Sequence, residues 1–223
     1  MNLLLSIAYP ALLSGLLLMY LKYKFVIGSW KLLFQAVVFG LASVAVLFIL
    51  DQIAVYKGID ELRNLKRTGF YSFVVVGFGA ELGKFILLRY YFLRQKTFRG
   101  PLDGIIYNLL IAGSFTMLAL PLFMSGWFSK EMNLTFLITY PLANMAFAVI
   151  MGFFTGMGKF RNNRFIDSMT ALGAASFFHG FYFFINLTDE FLIFGLYGAG
   201  LALIAFMLLV KSTNLKDEEK QVQ

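Results

Sequence analysis

Between Lys31 and Asp51 the chain reads LLFQAVVFGLASVAVLFIL, Leu32–Leu50, without one ionisable side chain. A hydrocarbon core about 30 Å thick needs about 20 apolar residues in a helix that rises about 1.5 Å per residue, so this run has the length of one membrane crossing. Five more charge-free runs of that kind lie between Met1 and Lys22, Asp103 and Lys130, Glu131 and Lys159, Asp167 and Asp189, and Glu190 and Lys211. A seventh, between Arg67 and Arg89, has the same length but carries Glu81 and Lys84 within it. The expected fold is all-α, a polytopic membrane bundle of about seven transmembrane helices.

Composition agrees. Of 223 residues, 60% are apolar and 14% charged, with 27 Phe and 11 Tyr, and the mean hydropathy is +0.77. One soluble core of this size could not hide so much apolar surface, so lipid is the solvent and the bilayer is the first expected partner. The absence of cysteine removes disulfides, thiolate catalysis and Cys-based metal sites, and a single histidine remains. The net charge of +7 reads as topology, and no nucleic-acid partner is expected. Thirteen Lys and Arg fall in the loops after the first, third, fifth and seventh spans, against five in the other loops. The positive-inside rule then puts the N-terminus outside and the C-terminus in the cytoplasm. Residues 1–210 form one transmembrane domain on this reading, and 211–223 a polar, solvated cytoplasmic tail. The mixed segment from Asp51 to Arg67 is either a short interfacial helix or a solvated loop.

Charge inside a bilayer costs roughly 2.5–3.5 kcal/mol on insertion scales, which makes intramembrane ionisable residues functional candidates. Glu81 and Lys84, three apart on one helix face, can also simply neutralise each other. Gly77, Gly79 and Gly83 surround them and allow another helix to come close. His179 lies in the sixth span with Ser176, Gly180 and Phe183 on its face. Glu81 is eight residues from Arg89 and His179 twelve from Asp167, about 12 and 18 Å above the same ends, so the two can meet. Asp103 and Asn108 open the fourth span and Asn144 follows Pro141 in the fifth, so all these groups can line one cytoplasm-facing cavity. Asp103 reads equally as a helix cap. One His, one Glu and an interfacial Asp fall short of a zinc centre, and neither metal nor another cofactor is expected.

Four motifs in order carry a resemblance. Ala80-Glu81-Leu82-Gly83-Lys84 resembles Glu-Glu-x-x-Lys, and Asp103-Gly104-Ile105-Ile106-Tyr107 with Phe115 resembles Asp-Gly-x-x-Tyr-Gly and its continuation. Pro141 to Gly152 resembles Pro-x-x-His followed by glycine, and His179-Gly180-Phe181-Tyr182 resembles His-Gly-x-Tyr-Asp. Over residues of about 70–185 the chain is similar to the PrsW family of intramembrane proteases, related to the CAAX-protease and bacteriocin-processing group. The resemblance implies a bacterial cytoplasmic-membrane protease that cuts membrane proteins such as anti-sigma factors, with glutamates and the last histidine activating water. It also exposes departures. The first glutamate is Ala80, the histidine of the third motif is Asn144, the Glu-Asn ending the second is Ala119-Leu120, the acid after the last histidine is Phe183, and Asn108 replaces a glycine.

Glu81 and His179 are therefore the expected catalytic pair, with Lys84, Asp103, Asn108 and Asn144 as supporting cavity residues. The reading that fits the substitutions is a degenerate, weakly active or inactive homologue that binds membrane-protein segments, single-span proteins in particular. An active endopeptidase using Glu81 and His179 is the alternative, and a small transporter or proton path a further one.

Overall fold

The computed structural model describes residues 3–25, 29–128, 132–161, 164–188 and 191–222. Among them are seven helices long and apolar enough to cross a membrane. The first two are α1 (Leu3–Lys24) and α2 (Trp30–Tyr56). The third, α3 (65–90), joins an α-helical turn Leu65–Phe70, a π-helical stretch Tyr71–Phe78 and an α-helical segment Gly79–Tyr90. Then come α4 (Pro101–Met124), α5 (Leu134–Phe160), α6 (Arg164–Thr188) and α7 (Phe191–Val222). The expected span boundaries at Met1, Lys130, Glu131, Asp189 and Glu190 lie outside the described residues.

Short polar side chains start several helices by holding otherwise orphaned backbone donors. Ser29 Oγ accepts from Leu32 N, Asn64 Oδ1 from Arg67 N, and Asn133 Oδ1 from Phe136 N. Pro101 occupies the first turn of α4, where its missing N–H removes no helical bond.

The bundle is built around α4, the most buried span, which packs against α1, α2, α3 and α5, while α1 and α7 are the most exposed. With no hydrophobic drive between helices in lipid, close approach depends on small residues. A Cβ at Gly77 of α3 would lie 2.6 Å from the Ser176 carbonyl and 2.7 Å from Gly180 N of α6. Between α4 and α5, a Cβ at Gly152 would lie 2.6 Å from the Gly104 carbonyl. Only glycine fits at these crossings, and the first of them brings the two helices bearing Glu81 and His179 into backbone contact.

Three features differ from the sequence reading. Asp51 does not end the second span: α2 runs on to Tyr56, and Asp51 is buried, accepting a hydrogen bond from the Tyr71 hydroxyl of α3. A buried partner removes the penalty that makes a carboxylate look like a boundary. No separate interfacial helix forms between Asp51 and Arg67, because α2 takes the front of that segment and α3 starts at Leu65. The segment from Lys211 onward, expected as a polar, solvated tail apart from the span, continues α7 as helix to Val222. It contains neither Gly nor Pro, so a helix already nucleated in the span propagates through it.

Candidate functional site

The π-helical stretch ends just before Gly79, two residues ahead of Glu81, and π segments inside α-helices recur at functional sites. On this irregular helix Tyr71 reaches α2, whereas Gly77 and Glu81 face α6. His179 Nδ1 lies 2.7 Å from Glu81 Oε1. Lys84 Nζ donates to the same oxygen at 2.6 Å and to Asn144 Oδ1 of α5 at 2.6 Å. Its remaining side faces the Phe115 ring of α4, whose centroid is 4.9 Å away. Three helices, α3, α4 and α5, thus meet at one ammonium group, and α6 joins through His179 on the shared Glu81 oxygen. Glu81, Lys84, Asn144 and His179 are each 0% exposed, so the cluster is enclosed within the bundle rather than lining an open cavity.

Asn144 is fully committed. Its Nδ2 donates to the Ala112 carbonyl at 3.1 Å and to Thr116 Oγ1 at 2.5 Å, both on α4. Asn108 returns the contact one turn away, donating from Nδ2 to the Ala148 carbonyl of α5 at 3.0 Å. This reciprocal pair of amide bonds stitches α4 to α5, and Asn108 serves that seam. Asp103 stands in the first turn of α4 and accepts from Arg99 N at 2.7 Å, the bond of a helix-start cap. It is nine residues, about 13 Å, along α4 from Ala112. The structure therefore gathers Glu81, Lys84, Asn144 and His179, and leaves Asn108 and Asp103 in the helix seam and at the helix start.

Two contributors escape a reading of charges alone. Thr116 holds the Asn144 amide, and the aromatic rings of α5 hold the imidazole. Phe147 stacks on His179 at 4.8 Å between ring centroids, and Tyr140, two turns earlier, lies at 5.6 Å. Their spacing of seven residues on one helix was a legible signal for a paired aromatic wall.

Four of the positions where the resemblance marks departures are filled by apolar core, the other two being Asn108 and Asn144. Ala80, Ala119, Leu120 and Phe183 belong to one buried hydrophobic cluster, and the Phe183 ring packs against Tyr71, Phe123 and Phe136. A carboxylate at any of these points would enter an apolar environment without a preformed partner.

With Lys84 donating to Glu81 Oε1, that oxygen is an acceptor, so Nδ1 of His179 donates to it, and in the neutral imidazole Nε2 holds the lone pair. Glu81 thereby fixes the tautomer and orientation of the imidazole, the arrangement by which a carboxylate prepares a histidine base. Glu81 Oε2 and His179 Nε2 make no hydrogen bond within the described protein. The arrangement has a base-like nitrogen, but the carboxylate beside it is held by a fixed cation.

Comparison with known proteins agrees with the family resemblance. A family model described as PrsW family intramembrane metalloprotease matches residues 28–211. A curated relative, "Protease PrsW" of Clostridioides difficile (strain 630), is 30% identical over 123 residues, covering 52% of this chain and 48% of the relative. The chain thus spans about half the length of the curated relative that it matches. No solved structure matches. The family description names a metal, and the donors can be tested against it. Catalytic zinc takes three protein ligands as a rule. Among the described residues no group of three His, Cys, Asp or Glu stands close enough to hold an ion. Glu81 and His179 supply two donors, and Lys84 places a cation against one of them. The residues present do not fit a catalytic divalent metal.

Proposed function

The chain belongs to the PrsW family of intramembrane metalloproteases, and from that premise we propose that it is a disarmed member, weakly active or inactive, that binds membrane-protein segments. It is an integral membrane protein. The observation that carries the proposal is Asn144: where the resemblance has a histidine, its amide is spent on Lys84 Nζ, the Ala112 carbonyl and Thr116 Oγ1 in a fully enclosed cluster, in which the same ammonium also binds Glu81 Oε1. A general base must be free to take a proton from water. Here the carboxylate is neutralised by an adjacent cation, Ala80 offers no second acid, and Asn144 spends its amide on structure. What such a centre does well is hold α3, α4, α5 and α6 in one arrangement.

A partner segment has a place to lie. Between α5, α6 and α7 a half-open apolar recess of about 260 Å³ is lined by residues including Leu142, Ala146, Tyr182, Phe194, Gly198 and Ala202. Its small residues permit close helix approach, and its apolar wall suits the side chains of a single transmembrane helix. Photo-crosslinking tests this. A photoreactive residue replacing Leu142, in a chain co-expressed with a defined set of single-span membrane proteins, is expected to give adducts of full-length partners. Adducts carrying only cleaved partners, or none at all, contradict the proposal.

A second reading has its own observation. The Glu81–His179 contact engages Nδ1 and leaves Nε2 without a hydrogen-bond partner among the described residues, which favours an active endopeptidase in which Glu81 orients His179.

The setting we infer is a bacterial cytoplasmic membrane, with the N-terminus outside and the loop between α3 and α4 in the cytoplasm, on the excess of positive residues in the loops of that side. Because the chain has no cysteine, Lys96→Cys gives a single label site. It is expected to stay unlabelled by an impermeant thiol reagent in intact cells and to react after permeabilisation. Labelling in intact cells would invert the topology.

A further inference from the structure

The Lys84 ammonium has the surroundings of a bound metal ion. Two oxygen donors, Glu81 Oε1 and Asn144 Oδ1, approach it at 2.6 Å from different helices, and the Phe115 ring covers a third side at 4.9 Å. The side chain is 0% exposed, and its three protons are matched by two oxygens and a π face. We propose that the Lys84 ammonium is the resident cation of this centre and excludes a divalent metal from it. The inference goes beyond the functional reading above, since a chain without metal can be active or inert.

Three arguments support exclusion. Zinc–oxygen bonds measure about 2.0–2.2 Å, so a metal on Glu81 Oε1 would lie within a few ångströms of the Lys84 nitrogen. One carboxylate would then face three positive charges in a water-poor interior, where charge interactions are weakly screened. The geometry also divides the donors. His179 turns Nδ1 toward Glu81, so Nε2 points to the far side of the ring, and an ion bound there loses the carboxylate. Finally, among the described residues no third His, Cys, Asp or Glu joins these two: Ala80 has a methyl group, and the Asn144 oxygen is already bound to Lys84.

The full chain in detergent or nanodiscs decides it. After incubation with zinc and removal of the excess, elemental analysis is expected to find far less than one zinc per chain. The unfolding midpoint is expected to be unmoved by zinc or by a chelator. Retention of about one zinc per chain, lost in His179→Ala, overturns the inference, as does a chelator-induced fall in the midpoint. A second arm uses Lys84→Met combined with Asn144→His, which removes the ammonium and adds an imidazole. Cobalt uptake near one per chain in the double variant and not in Asn144→His alone, read from its visible absorption, supports exclusion by Lys84; uptake by Asn144→His alone, or by neither folded variant, overturns it. The two readings fail separately: cleavage by a chain free of metal sinks the disarmed reading alone, and an inert chain holding zinc sinks this inference alone.

Discussion

Lys84→Met is expected to destabilise the bundle by about 3–5 kcal/mol, the usual cost of removing one partner from a buried ion pair. The methionine keeps most of the side chain's volume, so the loss reports charge and hydrogen bonding. It leaves the Glu81 carboxylate without its neutralising cation and the Asn144 oxygen without a donor, both at 0% exposure. Glu81→Gln in the same background removes the unpaired charge and is expected to recover at least half of the loss. Unfolding in detergent, compared across wild type, the two single variants and the double, gives the coupling directly. A cost below about 1 kcal/mol for Lys84→Met would place the pair among the weak ones of solvated surfaces, contrary to the enclosed cluster described above.

Much of this architecture was legible in the sequence because lipid imposes a length on every span. Six charge-free runs near 20 residues and a seventh broken only by Glu81 and Lys84 located the seven helices, and the depths of Glu81 and His179, eight and twelve residues from the same side, anticipated a contact that the structure closes to 2.7 Å. Gly77 signalled the helix crossing that makes it possible. What charge counting missed was paired charge. Asp51 looked like a terminus because its partner, Tyr71, is a neutral residue twenty positions away on another helix. The supposed cavity failed for a related reason. Periodicity places Asp103, Asn108 and Asn144 on facing helices, but not the carbonyls that absorb them, and two of the three are spent on α4–α5 contacts and one on a helix start. The π-helical stretch has no sequence mark comparable to a proline, so the register of α3 was visible only in three dimensions.

The second large effect concerns catalysis. Ala80→Glu with Asn144→His supplies the carboxylate and imidazole that the family resemblance places at those positions, and releases Lys84 from the Asn144 oxygen. General acid–base help is worth ~10²–10⁴ in rate, so cleavage of a co-expressed single-span membrane protein is expected to rise by about that factor in the double variant if it folds. Ala80 is fully buried in the apolar cluster, so the gain should come with lower stability. A folded double variant with no gain would mean that these two positions are not what disarms the chain.

On the reading proposed here the enclosed Glu81–Lys84–Asn144–His179 cluster is a clamp and not a hydrolytic centre. Its most direct test is the cleavage of a set of single-span membrane proteins by the wild-type chain, measured beside His179→Ala. Product from the wild type is expected to be no greater than from the variant. Cleavage by the wild type that disappears in His179→Ala, with the variant still folded in the membrane, would contradict it.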